Sequence, residues 1–224
     1  MAKLTKKMKA RVNIDTDKVY TLADALKLLR EHTSKKFDES LDVAVKLGVD
    51  VTKADQNIRF MISLPNGTGK TTRVAVITAD KAKEAKDAGA DVIGGEELID
   101  KIAGGQIDFD RVIATPDMMP KMAKVARVLG PKGMMPNPKL GTVTNNIADA
   151  VKTAKAGQIE LRAEKKGIVH AGAGKMSFDD KKLIENVDAI VDALKKAKPA
   201  SAKGQYMRGI SVSTTQGPGL RIAI

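Results

Sequence analysis

Two rhythms of apolar residues take turns along the chain. Leu22, Ala25, Leu26 and Leu29 share one side at helical spacing, with Thr21 as the N-cap and Asp24 at the capping-box position, which predicts a helix over residues 21–31. After Lys35-Lys36-Phe37 the period falls to two. Leu41, Val43, Val45, Leu47 and Val49 alternate with polar residues, as in a half-buried strand of an antiparallel sheet. A second strand is expected over 58–64, ending at Pro65-Asn66-Gly67.

From Arg73 to Ala114 the grammar changes. Short apolar strands at 74–77, 91–93 and 112–114 alternate with helical stretches around 81–87, 96–102 and 121–129, and a further helix covers 148–155. This pattern belongs to a parallel α/β unit with helices on both faces. Alternation then returns at 159–163 and 168–171, a long amphipathic helix fills 179–196, and residues 205–216 and 219–224 form a hairpin-like pair around Gly217-Pro218-Gly219. The simplest topology has two domains. A discontinuous α+β domain (1–66 and 158–224) carries an inserted Rossmann-like three-layer α/β domain (67–157), entered and left near 66–70 and 156–159.

Composition sharpens this picture. The 224 residues hold 39 basic and 27 acidic side chains, a formal charge of +12 that favours a polyanionic partner. The surplus is spread along the chain, with one local basic stretch: no acid falls between Asp117 and Asp149, while Lys121, Lys124, Arg127, Lys132 and Lys139 do. Lys3, Lys6, Lys7, Lys9 and Arg11 form a second, read either as a solvated terminus or as a phosphate-contacting tail. Aromatics make up 3 %, too few for a series of base-stacking platforms, so RNA would be met through folded shape and phosphates. No apolar run of membrane-spanning length occurs and the basic N-terminus is not followed by a signal-peptide core, so a soluble, cytoplasmic protein is expected.

Catalytic readings find little support. Cysteine is absent and only His32 and His170 could supply imidazole, so neither a metal site nor a cofactor is expected. Gly67-Thr68-Gly69-Lys70-Thr71-Thr72 imitates the end of a phosphate-binding loop. The pattern, however, needs a glycine where Leu64 stands, Pro65 removes a backbone donor, and a strand follows instead of a helix. The acid pairs Glu96-Glu97 and Asp179-Asp180 open helices, where the macrodipole explains them. No nucleophile, base and orienter come together, so no catalytic residue is named.

Three segments suit a contact surface. Phe37 beside lysines is either core or a stacking group on RNA. Ser213-Thr214-Thr215-Gln216-Gly217-Pro218-Gly219 is either a tight turn or a rigid set of donors for 2′-hydroxyls. The loop from Leu129 to Lys139 holds three prolines, two glycines and two methionines, and is expected to expose those methionines on a rigid surface.

Taken together, Ala114-Thr-Pro-Asp-Met, Val128-Leu-Gly-Pro-Lys-Gly-Met-Met-Pro-Asn-Pro-Lys, Gly94-Gly-Glu-Glu, Lys36-Phe-Asp-Glu-Ser and Ser213-Thr-Thr-Gln-Gly-Pro closely resemble the bacterial large-subunit ribosomal protein L-one (stalk protein) family, in order and over essentially the whole chain. The resemblance implies two domains with a hinge and binding to the stalk of large-subunit ribosomal RNA. It also implies help in releasing exit-site transfer RNA, and repression of its own operon through a messenger site that imitates the ribosomal one. Off the ribosome a monomer is expected, with no membrane partner. By position, the RNA-binding residues would be Lys36, Phe37 and Ser40 together with Thr214, Thr215, Gln216, Gly217 and Pro218. The chain departs from the family at Gln216, usually methionine, at Phe60, usually glycine, at Asn66, usually histidine, and at Val125-Ala126, usually leucine–glycine. The other readings are a nucleotide-binding enzyme built on the inserted unit and a messenger-binding repressor with no ribosomal role.

Overall fold

The computed structural model describes residues 14–34 and 36–223, so the basic run from Lys3 to Arg11 and Lys35 lie outside the described residues. In chain order the elements are β1 (Val19–Tyr20), α1 (Leu22–His32), β2 (Ser40–Leu47), β3 (Arg59–Ser63), β4 (Val74–Ile77), α2 (Ala82–Asp87), β5 (Val92–Gly94), α3 (Glu96–Ala103) and β6 (Arg111–Ala114). There follow α4 (Met119–Met122), α5 (Ala126–Leu129), α6 (Ile147–Lys155), β7 (Gln158–Arg162), β8 (Ile168–Lys175), α7 (Asp180–Lys196), β9 (Met207–Thr214) and β10 (Gly219–Ile222). The chain divides into two compact units, one made of the described residues up to Gly69 and from Ile159 on, the other of Lys70–Gln158.

The first unit is built on a five-stranded sheet in the order β1-β10-β9-β2-β8. Strand β1 runs parallel to β10, and the pairs β10/β9, β9/β2 and β2/β8 are antiparallel. Period-two patterning explains the layering. Leu41, Val43, Val45 and Leu47 of β2 are buried together with Val169 and Ala171 of β8 and Ile210 and Val212 of β9. They pack against Leu26 and Leu29 of α1 and Leu183, Val187, Ile190 and Leu194 of α7 in one apolar cluster. Thr21 caps α1 as its sequence predicts: its hydroxyl accepts the Asp24 N–H at 3.2 Å and donates to the Asp24 carboxylate at 2.7 Å. Alternate residues on the other face of the sheet, among them Lys46, His170, Arg208 and Arg221, are exposed.

One buried polar residue fixes the end of this unit. Asn186 of α7 is fully buried. Its amide donates to the carbonyls of Ala173 at 2.7 Å and Gly67 at 3.0 Å, and its oxygen accepts the Asn66 N–H at 3.1 Å. Every capacity but one of the amide is filled, which makes burial affordable and holds the loop at residues 66–67. The Asn66 side chain itself donates to the Glu185 carboxylate at 2.7 Å, and Phe60 packs partly buried against the main cluster.

The second unit is a parallel three-stranded sheet in the order β5-β4-β6. All four residues of the central strand β4 are buried, because each face carries its own apolar cluster. Ala75 and Ile77 pack with Leu98, Ile99 and Ile102 of α3 and with Met118, Met122 and Leu129. Val74 and Val76 pack with Ala85 of α2 and Ile147, Val151 and Ala154 of α6. Helices therefore cover both faces of this sheet.

One expectation is met here and one needs correcting. The phosphate-loop imitation leads into β4, not into a helix, with Gly67 and Gly69 at φ of 67° and 71° and Lys70 3.6 Å from the Asp110 carboxylate, so there is no helix N-terminus to hold a phosphate. In the proline-rich loop, Met134 and Met135 are not displayed. They are partly buried against the α3 side of the second unit, since a loop that turns back at Gly133 brings them onto apolar side chains.

Candidate nucleic-acid interface

Residues 36–40 and 214–218 lie about 175 positions apart in sequence, and the sheet brings them to one edge. Leu41 pairs with Thr214 and Asp42 with Ser213, so the chain entering β2 and the chain leaving β9 meet at the same end of adjacent strands. Three hydrogen bonds stitch them together. The Thr215 N–H donates to the Ser40 carbonyl at 3.1 Å, the Ser40 N–H donates to the Thr215 hydroxyl at 3.0 Å, and the Gln216 N–H donates to the Glu39 carboxylate at 3.1 Å.

Glu39 is the keystone that sequence reasoning passed over. It is fully buried, with one carboxylate oxygen accepting the Ser34 N–H at 2.9 Å and the other the Gln216 N–H, while its own carbonyl accepts the Met176 N–H at 2.8 Å. A buried carboxylate is costly unless it is hydrogen-bonded, so these donors explain how it is accommodated. The sequence signal was present in Lys36-Phe-Asp-Glu-Ser, where an acid precedes the strand one position out of phase with its exposed residues. Asp38 braces the same loop from outside, its carboxylate accepting the Ser177 N–H at 3.1 Å and the Ser177 hydroxyl at 3.0 Å.

On this frame stands a small exposed surface. Phe37 is 51 % exposed, one of two large apolar residues so displayed among the described residues, and the Lys175 ammonium lies 5.7 Å from its ring centroid. An exposed ring with a cation over one face settles the choice between core and surface. Lys36, Thr215 and Gln216 are exposed, while Ser40, Gly217 and Pro218 are half-buried. Asp42, on the outer face of β2, keeps some solvent, but the flanking strands strip enough water to raise its carboxyl above the ordinary range; His170 and Lys175 pull the other way.

Thr214 departs from the expectation. Its side chain is buried at 4 % exposure, its hydroxyl has no hydrogen-bond partner, and a Cβ at position 217 would fall 2.1 Å from that oxygen. As β9 ends, alternation turns Thr214 inward and Thr215 outward, so Thr214 supports the turn and is not displayed to a ligand. Gly217 is bare because the hydroxyl beneath it occupies the place of a side chain.

Among the described residues no three His, Asp or Glu side chains gather as a metal site, and no described helix is long and apolar enough to cross a membrane. Residues 29–218 match the family model of the ribosomal protein L1p/L10e family. The chain belongs to that family. Both segments of the edge fall inside the matched region. Membership makes the protein a structural constituent of the ribosome that binds ribosomal RNA and is not an enzyme, which removes the nucleotide-dependent alternative.

Proposed function

We propose that this member of the family is the bacterial large-subunit form and binds the stalk of large-subunit ribosomal RNA through the edge formed by Lys36, Phe37, Ser40, Thr215, Gln216, Gly217 and Pro218. The observation that carries this reading is the half-exposed Phe37 ring, held beside the Lys175 ammonium on a hydrogen-bonded frame that also presents the exposed Lys36 and Thr215. The ring offers a stacking face to a sugar or base, and Lys36 and Lys175 neutralise phosphates. The Thr215 hydroxyl accepts from Ser40 and donates to the Ser40 carbonyl only at 3.5 Å, a weak bond that an RNA acceptor can replace. A rigid edge of this kind loses little entropy on binding.

In this reading residues 1–66 and 158–224 form the RNA-binding domain and 67–157 the inserted one. The protein helps release transfer RNA from the exit site, and it represses its own operon by binding a messenger copy of the ribosomal site. Free of the ribosome it is a monomer. The direct test measures binding of the full chain to a stalk RNA fragment against a scrambled fragment. Phe37→Ala should weaken stalk binding by roughly 1–3 kcal/mol, ten- to a hundredfold, with little loss of stability. Equal affinity for both RNAs, or wild-type binding by Phe37→Ala, overturns the assignment. Competition between messenger and stalk fragments for one site tests repression.

A further inference from the structure

At the other end of β2 lies a feature the edge does not use. A cleft of about 430 Å³ opens there, lined by Lys46, Lys53, Lys166, Lys203 and Arg208, with Asp50 as its one acid. All five cations are exposed, and none has a carboxylate within ion-pair distance among the described residues. Asp50 is already engaged, its carboxylate accepting the Thr52 hydroxyl at 2.6 Å and the Thr52 N–H at 3.2 Å. An excess of four positive charges over one small concavity focuses a positive potential there and attracts an anionic partner.

The segments that carry these cations are packed onto the end of β2, not loosely attached. The Gly48 N–H donates to the Tyr206 carbonyl at 2.6 Å, and a Cβ at Gly48 would lie 2.3 Å from the Gln205 carbonyl and 3.1 Å from Arg208 Nε. The Leu47 N–H donates to the Gly167 carbonyl at 2.8 Å; Gly167, at φ +72°, would place a Cβ 3.0 Å from the Leu47 carbonyl. Bare backbone at both positions lets the segments bearing Lys166 and Arg208 close on the strand. Gln56 ties a third segment in, accepting the Asp50 N–H at 2.8 Å and donating to the Ser201 carbonyl at 3.3 Å.

We propose that this cleft is a second RNA site, holding the phosphodiester backbone of a segment other than the one at the Phe37 edge. The eight residues of β2 separate the two sites by roughly 23 Å along the strand, too far for one nucleotide to bridge. Cations supplied by two strand ends and three separate loops suit a run of phosphates better than a single compact anion. The absence of an aromatic lining points to backbone contact without base stacking. Lys46 and Arg208 also border the shallow trough across the open sheet face, which gives the strand a path onward to Arg221. The inference rests on the family's RNA binding and not on the choice of the Phe37 edge.

The test uses the full chain and two probes, a stalk RNA fragment and a short duplex RNA of unrelated sequence, with fluorescence anisotropy over a salt series. Lys53→Gln/Lys166→Gln/Lys203→Gln should weaken duplex binding about tenfold and flatten its salt slope by about 2–3, one step per lost phosphate contact. The same variant should bind the stalk fragment within threefold of wild type, whereas Phe37→Ala should show the reverse pattern. Failure of Phe37→Ala alone discredits the edge and leaves the cleft standing. Wild-type duplex affinity and slope in the triple variant overturn the cleft. So does displacement of the duplex by orthophosphate at an ionic strength where chloride has no effect, which would assign it to a small anion. Equal binding of poly-glutamate at matched charge would assign it to acidic protein and also overturn the proposal.

Discussion

The hydroxyl of Thr215 accepts the backbone N–H of Ser40 at 3.0 Å, joining residues 175 positions apart. The same side chain that is proposed as an RNA donor is therefore also part of the frame. Thr215→Val leaves the Ser40 N–H without its protein partner. It should lower unfolding stability by about 1 kcal/mol, as well as weakening RNA binding. Urea denaturation and amide exchange at Ser40, run beside RNA titration, separate the two effects; an unchanged midpoint and unchanged Ser40 protection would refute the structural half.

Thr214 and Gly217 should behave as a coupled pair. Thr214→Val removes a buried hydroxyl that has no partner and keeps the shape, so stability should hold or rise. Gly217→Ala drives a methyl into that hydroxyl and should cost about 1–3 kcal/mol. Combining Gly217→Ala with Thr214→Ala should recover much of the loss, giving a coupling energy above 0.5 kcal/mol in a double-mutant cycle. Strict additivity would mean that the two side chains do not compete for the same space.

Asn186→Leu fills similar volume but strands two carbonyls and one N–H. A loss of about 2–4 kcal/mol is expected, large for a single substitution away from any ligand. Thermal unfolding gives the number, and increased amide exchange at Asn66 should accompany it. A variant as stable as wild type would show that water replaces the amide.

Asp42 should give a pH signature. Its native carboxyl holds its proton more tightly than in the unfolded chain, so this group favours the native state at low pH. That advantage is lost as pH rises through the raised native value. At neutral pH its charge is a net cost, and Asp42→Asn should raise the melting temperature slightly. The gain should vanish below the ordinary value of 3.8, where both states hold the proton. A gain that persists at pH 3 would point to packing instead of charge.

The elements of the first unit were legible because its sheet is covered on one face, which forces strict alternation on β2 and helical spacing on α1 and α7. The buried run of β4 announced a sheet covered on both faces just as clearly. Strand β1 was invisible: two residues carry no period, and only the pairing of Val19 and Tyr20 with Arg221 and Ile222 defines it. Phe37 could be singled out by its lysine neighbours, but whether it was core or surface depended on where the preceding loop turned. Thr214 and Thr215 are identical in sequence and opposite in role, because one step along a strand exchanges faces. Glu39 and Asn186 escaped notice since their worth lies in backbone groups supplied from distant segments.

The strand order carries a consequence for how the molecule comes into being. Strand β2 lies between β8 and β9, so Ser40–Leu47 has no strand neighbour until translation has advanced roughly 120 residues further, a wait of about 6–25 s at typical elongation rates. The second unit, by contrast, draws all three strands of its sheet from Val74–Ala114 and is complete in mid-synthesis. A nascent chain halted before Ile168 would thus present a finished α/β unit and an apolar strand still without a strand partner, exposed to chaperones and to aggregation. The proposed RNA-gripping edge at Phe37 is completed late, with the emergence of Thr215 and Gln216.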